Sequence, residues 1–417
     1  MQKLFTLFLL VAFQFASAQS IWTFYNTGNS VLPDNSIRAI EQDKLGNIWI
    51  GTDNGLAKYD GTNFTIIDSS NSGLAENQIR SIAFDSANHL WVGTLPAGVC
   101  TFDGNNWINY TTFNSLLPAD QVRTIAIDSS NAPWLGTTGG VARISDEGWE
   151  IYNMFNSPLG ANNINHILID KEDTKWIGTV NGGIAKKQGS SIFTYNKLNS
   201  GLTDNTILDL EKDIYGNLWF ATPAQGLGRF NGSNWFYRLD ANSAIPTNSI
   251  NALEIATNTD VKYLGTSDKG LVRWNNGLIF DSFTVNNSPM PDNNISCMKR
   301  AADGKIWMGT LTSGVVVFND TTQFPLVSNV RETENVTLNV FPNPVTDVLT
   351  VSIPDSKNFT AENFGIYDLQ GRKMNQVKFE SISNYELNAE VSALESGIYF
   401  LRLSGDKVSG FTKLVKQ

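Results

Sequence analysis

Gly46-Asn47-Ile48-Trp49-Ile50-Gly51-Thr52 sets an aromatic between branched apolar residues and closes on Gly-Thr. The phrase returns with its aromatic at Trp91, Trp134, Trp176, Trp219, Tyr263 and Trp307, at spacings of 42, 43, 42, 43, 44 and 44 residues. A fixed period of this length marks stacked supersecondary units rather than one large core. Around the first copy the pattern predicts four strands: Ile37 to Gln42, Ile48 to Thr52, Leu56 to Tyr59 and Phe64 to Ile67. Asp60-Gly61 joins the last two, and the same corner recurs at Asp103-Gly104, Asn231-Gly232 and Asn276-Gly277. Both residues of such a turn must tolerate positive φ, so this is a strong hairpin signal.

A second phrase, Asn-Ser, leads from each fourth strand to the next first strand, from Asn71-Ser72 to Asn287-Ser288. One further copy, Asn29-Ser30-Val31-Leu32, precedes the first full unit, and Ile21-Trp22-Thr23-Phe24-Tyr25 ahead of it reads as a fourth strand. The seventh unit, Ile295 to Phe318, has three good strands and a doubtful fourth. That offset predicts a closed ring in which strand 21–26 completes the last sheet, since radial closure removes the exposed edges of an open array. Residues 19–325 are therefore expected to form a seven-bladed β-propeller. The recurring aromatics should pack between blades, and the glycine that follows in six units, replaced by Ala221 in the fifth, should mark a close approach of backbones. Phe318, at the end of a third strand, is read as core in the same way.

Residues 1–18 read as a signal peptide: Lys3, an apolar run Leu4 to Phe15, then Ala16-Ser17-Ala18 as the small-residue cleavage pattern. No other stretch is apolar enough for a membrane helix, so no integral membrane segment is expected. The net charge of −10 repels phosphate backbones and argues against nucleic acid as a partner. Cys100 and Cys297 fall on non-adjacent blades and are expected to be unpaired. Polar residues 326–337 read as a linker. Residues 338–417, with 8 basic and 9 acidic side chains, show short period-two runs that predict a small antiparallel, immunoglobulin-like β-sandwich of roughly seven strands. Leu338 to Val345, Val348 to Ile353, Asn363 to Tyr367 and Ile398 to Leu403 are its clearest strands, with a turn at Gln370-Gly371.

The Gly-Asn-Ile-Trp-Ile-Gly-Thr-x-x-Gly-Leu phrase resembles the two-component-regulator propeller repeat, whose members form sensors of polysaccharide fragments. This chain departs from those sensors in having one propeller and no kinase or DNA-binding segment, so the resemblance implies a binding capacity rather than direct signalling. Val340-Phe341-Pro342-Asn343-Pro344, Ile366-Tyr367-Asp368-Leu369-Gln370-Gly371-Arg372, Ser396-Gly397-Ile398-Tyr399-Phe400-Leu401 and Lys413-Leu414-Val415-Lys416 resemble a type IX secretion sorting domain of the A type. That resemblance implies a Bacteroidota source, the type IX secretion machinery and its sorting peptidase as partners, and a secreted or cell-surface destination reached through the periplasm.

Ligands of propellers sit at a mouth of the central channel. The residue after the first apolar position of strand one is Arg38, Arg80, Arg123, Asn165, Leu208, Asn251 and Ser296 in the seven units. Three adjacent arginines would offer a basic arc suited to carboxylate or sulfate, with an anionic sugar or peptide as the ligand class. The bland reading pairs them with Asp34, Glu76 or Asp120 in the preceding loops. The candidate ligand-binding set is Arg38, Arg80, Arg123, Asn165, His166 and Asn251. Asp43, Asp85, Asp128, Asp170 and Asp213 lack the alternating spacing of a calcium loop and read as turn caps. Two histidines, His89 and His166, on different blades make no metal set and no nucleophilic triad, and no cofactor is expected. The function read from the sequence is an exported, non-enzymatic binding propeller that recognises a glycan or protein at the channel mouth. The alternatives are a secreted propeller lyase or hydrolase acting on oligosaccharides, with His166 near Asp209 or Glu254, and a structural adhesion component.

Overall fold

The computed structural model describes residues 21–417, except 257, 275–279, 323–333, 337, 353–359, 369–371, 383–385 and 405–407. The expected signal peptide, most of the expected linker, and the turns at Asn276-Gly277 and Gln370-Gly371 lie outside the described residues. Among the described residues no helix is long and apolar enough to cross a membrane.

Blade one comprises Ile37–Gln42, Ile48–Thr52, Gly55–Tyr59 and Phe64–Ile67, paired antiparallel in that order from the channel outward. Five more blades repeat this order. The seventh takes three strands from Ile295–Arg300, Ile306–Thr310 and Val315–Phe318, and its outer strand is Trp22–Tyr25. Trp22 faces Phe318 and Tyr25 faces Val315 in the ladder. The ring is closed.

A four-stranded sheet is apolar on both faces and buries them only by stacking on its neighbours. The second strands accordingly are buried along their length in every blade but the second, where Trp91 is partly exposed. The glycine that ends the aromatic phrase in six of the seven blades sets the spacing. A Cβ built on Gly51 would stand 2.5 Å from Ile79 Cγ2, and one on Gly309 would stand 2.6 Å from Ile37 Cγ2. At Gly93 a Cβ would stand 2.8 Å from the backbone oxygen of Val122, the approach of two backbones that the sequence suggested, whereas at Gly51 and Gly309 the close approach is to the first inner-strand side chain of the next blade. The second of these contacts joins blade seven to blade one across the seam.

Asp43, Asp128, Asp170 and Asp213 cap their turns, and each does something the sequence did not reveal. One carboxylate oxygen accepts turn N–H groups, and the other accepts the indole N–H of the strand-two tryptophan six residues on, at 2.8–3.0 Å. In blade two His89 Nδ1 takes that oxygen of Asp85 at 2.9 Å, and in blade seven the capping position is Ala301. The buried indole nitrogens of Trp91 and Trp307 have no hydrogen-bond partner among the described residues. The turn at Ala301 closes with the same backbone bonds as that at Asp43. Ala301→Asp is therefore expected to supply the missing acceptor to Trp307 and raise stability by about 1 kcal/mol, read from the denaturant midpoint at unchanged m-value.

The C-terminal unit is two four-stranded sheets around one core that includes Leu349, Val351, Phe364, Ile366, Leu387, Leu401 and Leu414. Two features depart from expectation. It has eight strands, because Phe379–Ser381, Glu386–Glu390 and Val408–Lys416 also pair. Its first strand, Glu334–Val336, comes from the segment read as a linker and pairs parallel with Val408 to Gly410, so the sandwich is not wholly antiparallel. Cys100 and Cys297 are free thiols.

Candidate functional site: the channel and its basic mouth

In every blade except the fifth, the ladder between strands one and two shifts register immediately after the first inner-strand residue. The residue at this bulge is Arg38, Arg80, Arg123, Asn165, Asn251 or Ser296. A bulge re-aims its side chain out of the pleat, which is why these positions reach across to neighbours rather than lying along the ladder.

The structure brings Arg38 and Arg80 together, but not on the loop carboxylates proposed from sequence. Both converge on Asp53, with Arg38 Nη2 2.8 Å from Oδ2 and Arg80 Nη1 2.5 Å from Oδ1. Asp53 follows the Gly-Thr of blade one, where its N–H bonds to Ser36 O, so it sits beside the bulge, whereas Asp34 instead caps Ser36. Burial pushes the Asp53 carboxyl up, but hydrogen bonds from Arg38, Ser36 and Arg80 outweigh it and hold the group well below its ordinary range. The signal was in the repeat: only blade one has an acid at this position, where the other six have Leu95, Thr138, Val180, Pro223, Ser267 and Leu311.

Arg123 is different. Its Nη1 donates to the neutral amide oxygen of Asn165 at 3.0 Å, and no carboxylate lies within ion-pair distance of it among the described residues. A cavity of 250 Å³ opens beside it, lined by Arg80, Leu95, Gln121, Val122 and Arg123. Arg38 and Arg80 thus share one carboxylate, and Arg123 has none among the described residues. Asn165 and Asn251 are committed to the scaffold: their amides donate to Ile207 O at 2.9 Å and Ile295 O at 3.0 Å, each in the next blade. Ser296 does the same to Ile37 O across the seam.

Deeper in the channel the sign reverses. His166 Nδ1 lies 2.9 Å from Asp209 Oδ1, and the other oxygen of Asp209 accepts the Leu253 N–H of blade six. Three residues beyond the bulge position the inner strands carry Glu41, Ala83, Ala126, Leu168, Glu211, Glu254 and Lys299. Of these the sequence reading singled out only Glu254, as a possible partner of His166, and it missed the ring as a whole. Lys299 pairs with Glu41 at 2.7 Å. Burial, then the Asp209 charge, pushes Glu211 up to about 7. Burial and the neighbouring Glu211 charge raise Glu254 as well. Burial disfavours the His166 cation, yet the Asp209 charge and hydrogen bond prevail and raise it. No group of three or more acid, histidine or cysteine side chains among the described residues is placed to hold a metal ion.

A family model described as the two-component regulator propeller matches residues 31–54, 73–95, 201–224 and 289–312, and one described as the secretion system C-terminal sorting domain matches residues 339–417. The chain thus carries regulator-type propeller repeats followed by a secretion sorting domain. This sorting-domain propeller is consequently a protein exported to the cell surface or beyond it, by way of the secretion machinery that reads such a tail. A comparison with curated proteins found no match. Among solved structures it is similar to an extracellular domain from B. thetaiotaomicron attributed to a hybrid two-component system, at 18% identity and TM-score 0.63, covering 95% of this chain and 58% of that one. PorZ, a surface component of the type-IX secretion system of Porphyromonas gingivalis, is similar at 19% identity and TM-score 0.54, covering 92% and 60%. The sorting-domain propeller therefore spans less than two thirds of either relative. Streptogramin B lyase, at 14% identity and TM-score 0.58, covers 72% of this chain and 97% of its own. YCF48 bound to D1 peptide, at 15% identity and TM-score 0.53, covers 72% and 97%. At these identities what is shared is the fold.

Proposed function

We propose that the protein is a non-enzymatic binding propeller that recognises a glycan or a protein at the basic channel mouth. The observation carrying this reading is Arg123, a guanidinium without a carboxylate partner, on the wall of a 250 Å³ cavity that Arg80 also lines. A ligand carboxylate or sulfate there meets a forked donor already oriented by Asn165. The rigid ring holds the arc in place, so little ordering cost falls on binding. The YCF48 complex is a propeller carrying a peptide, which supports a polypeptide as readily as a sugar.

The test is binding of acidic oligosaccharide and acidic peptide probes by calorimetry. Arg123→Gln is expected to weaken such a probe by about tenfold, the worth of one charge-assisted hydrogen bond. Arg38→Gln should do less, because Arg38 is already neutralised by Asp53. Acidic probes that bind equally well to the triple variant Arg38→Ala, Arg80→Ala, Arg123→Ala would remove the mouth as the site.

A further inference from the structure

All seven loops that lead from an outer strand to the next inner strand are built by one device. An asparagine or aspartate side chain accepts a backbone N–H eight residues earlier: Thr27 to Asn35, Ser69 to Asn77, Thr112 to Asp120, Met154 to Asn162, Lys197 to Asn205, Asp240 to Asn248 and Val285 to Asn293, at 2.7–2.9 Å. The residue after the clasped N–H stands at the same place in each loop and is exposed in all seven. In four blades it is Gly28, Ser70, Ala241 or Asn286. In three consecutive loops it is Phe113, Phe155 or Leu198, exposed by 97%, 93% and 95%. Leu116 and Met154 beside them are also exposed.

The fold does not need these three side chains, since glycine, serine, alanine and asparagine fill the same position elsewhere in the ring. Large apolar groups kept in water on adjacent blades mark an interaction surface. Their composition narrows the occupant. Phenylalanine and methionine are enriched at protein interfaces, and Leu198 has no aromatic face on which a sugar ring could stack.

The row is continuous with the mouth. The loop that carries Phe113 also carries Gln121, which lines the cavity beside Arg123. The Thr112 N–H is held by Asp120, and Gly98, in the turn between strands two and three of blade two, donates to Asp120 O. Tracing Phe113 to Thr112, across the clasp to Asp120 and on to Gln121 keeps the two ends within about 15 Å.

We infer that Phe113, Phe155 and Leu198 form the apolar half of one docking surface whose other half is the basic mouth, and that its occupant is an acidic polypeptide segment bearing apolar side chains. The inference rests on the mouth reading for its charged half. Charge complementarity chooses the occupant: Arg123, without a carboxylate partner among the described residues, and Arg80 beside it on the cavity wall suit acids interspersed with aromatic or aliphatic residues. A second copy of the chain fits less well, because an isologous contact through this face would set one basic arc against the other.

The test uses the full chain and three fluorescent decapeptides: glutamates alternating with phenylalanine and leucine, the same peptide with serine at its apolar positions, and the same peptide with lysine at its acidic ones. The variants are Phe113→Ser/Phe155→Ser/Leu198→Ser, which places at the rim a residue that blade one already tolerates there, and Arg123→Gln. The acidic, apolar peptide is expected to bind best. The rim variant should weaken it at least about tenfold while leaving the acidic serine peptide unchanged, and Arg123→Gln should weaken both acidic peptides. Undiminished binding of the acidic, apolar peptide to the rim variant, or failure of the unmodified protein to prefer it over the other two, overturns the docking surface. If Arg123→Gln leaves both acidic peptides unaffected, the mouth reading fails and the charged half of the surface with it. A wild-type dimer in sedimentation that the rim variant dissociates assigns the row to a second copy and overturns the occupant.

Discussion

Trp22→Ala is expected to destabilise the propeller by about 3–5 kcal/mol, the cost of emptying a large buried aromatic site. Trp22 is 6% exposed, lies 4.5 Å from Phe318 and meets Phe283 of blade six at 5.5 Å. The site cannot collapse easily, because the ladder opposite Trp22 is the seam itself. Removing residues 21–26 altogether should do worse. The four residues Val315–Phe318, all buried, would become an unpaired apolar edge, which is a template for aggregation. Thermal unfolding and sedimentation of the two variants check this. A deletion variant that remains monomeric and melts at the wild-type temperature would mean that the seam strand holds nothing together.

Stability is expected to fall as pH rises from about 5 to 8, and Glu211→Gln to flatten that slope. The sign follows from proton binding. Glu211 titrates near 7 in the fold against 4.5 in the open chain, so the folded form holds more protons over that window and loses its advantage as they leave. A shift of this size corresponds to about 3 kcal/mol. Since Glu211 is only partly buried, roughly 1–2 kcal/mol is the expected effect at pH 8. His166, also raised, adds a contribution of the same sign: present below its open-chain value and lost as pH rises through the folded one. In the other direction Asp43, Asp53, Asp128, Asp170 and Asp173 are all held low. Their contribution is present above the usual carboxylate range and is lost as pH falls below it. The stability maximum should therefore lie near pH 4–5, and melting temperatures across pH 3–9 for wild type and Glu211→Gln measure both limbs. Parallel curves for the two proteins would refute the assignment.

The propeller was legible in the sequence because its signals are local and repeated. Ile37–Gln42, Ile48–Thr52 and Phe64–Ile67 fall where alternation and the Asp60-Gly61 turn put them, and the orphan strand around Trp22 announced the seam. What escaped depends on three-dimensional adjacency. Asp53 is fifteen residues from Arg38 and twenty-seven from Arg80 in sequence, and only the bulge brings all three together. Glu41, Glu211, Glu254 and Lys299 meet across the channel from four blades, a relation no single unit displays. In the sandwich, Glu386–Glu390 hides its two core residues, Leu387 and Ala389, among polar neighbours, so its alternation was faint. At the candidate site the bulge arginines stand out in the repeat, whereas Asp53, which binds Arg38 and Arg80, does not, and neither do the bonds of Asn165 and Asn251 to the next blade.

The contact of Gly51 with Ile79, and of Gly309 with Ile37, has a mechanical side. With no space for even a methyl group at these joints, a blade cannot tilt or slide without dragging its neighbours, so the ring moves as one stiff body. Whatever arrives at its surface meets a shape already finished. Differences in affinity between visitors are then expressed in how slowly they leave, and ionic strength, which acts on charges still in flight, sets how fast they arrive.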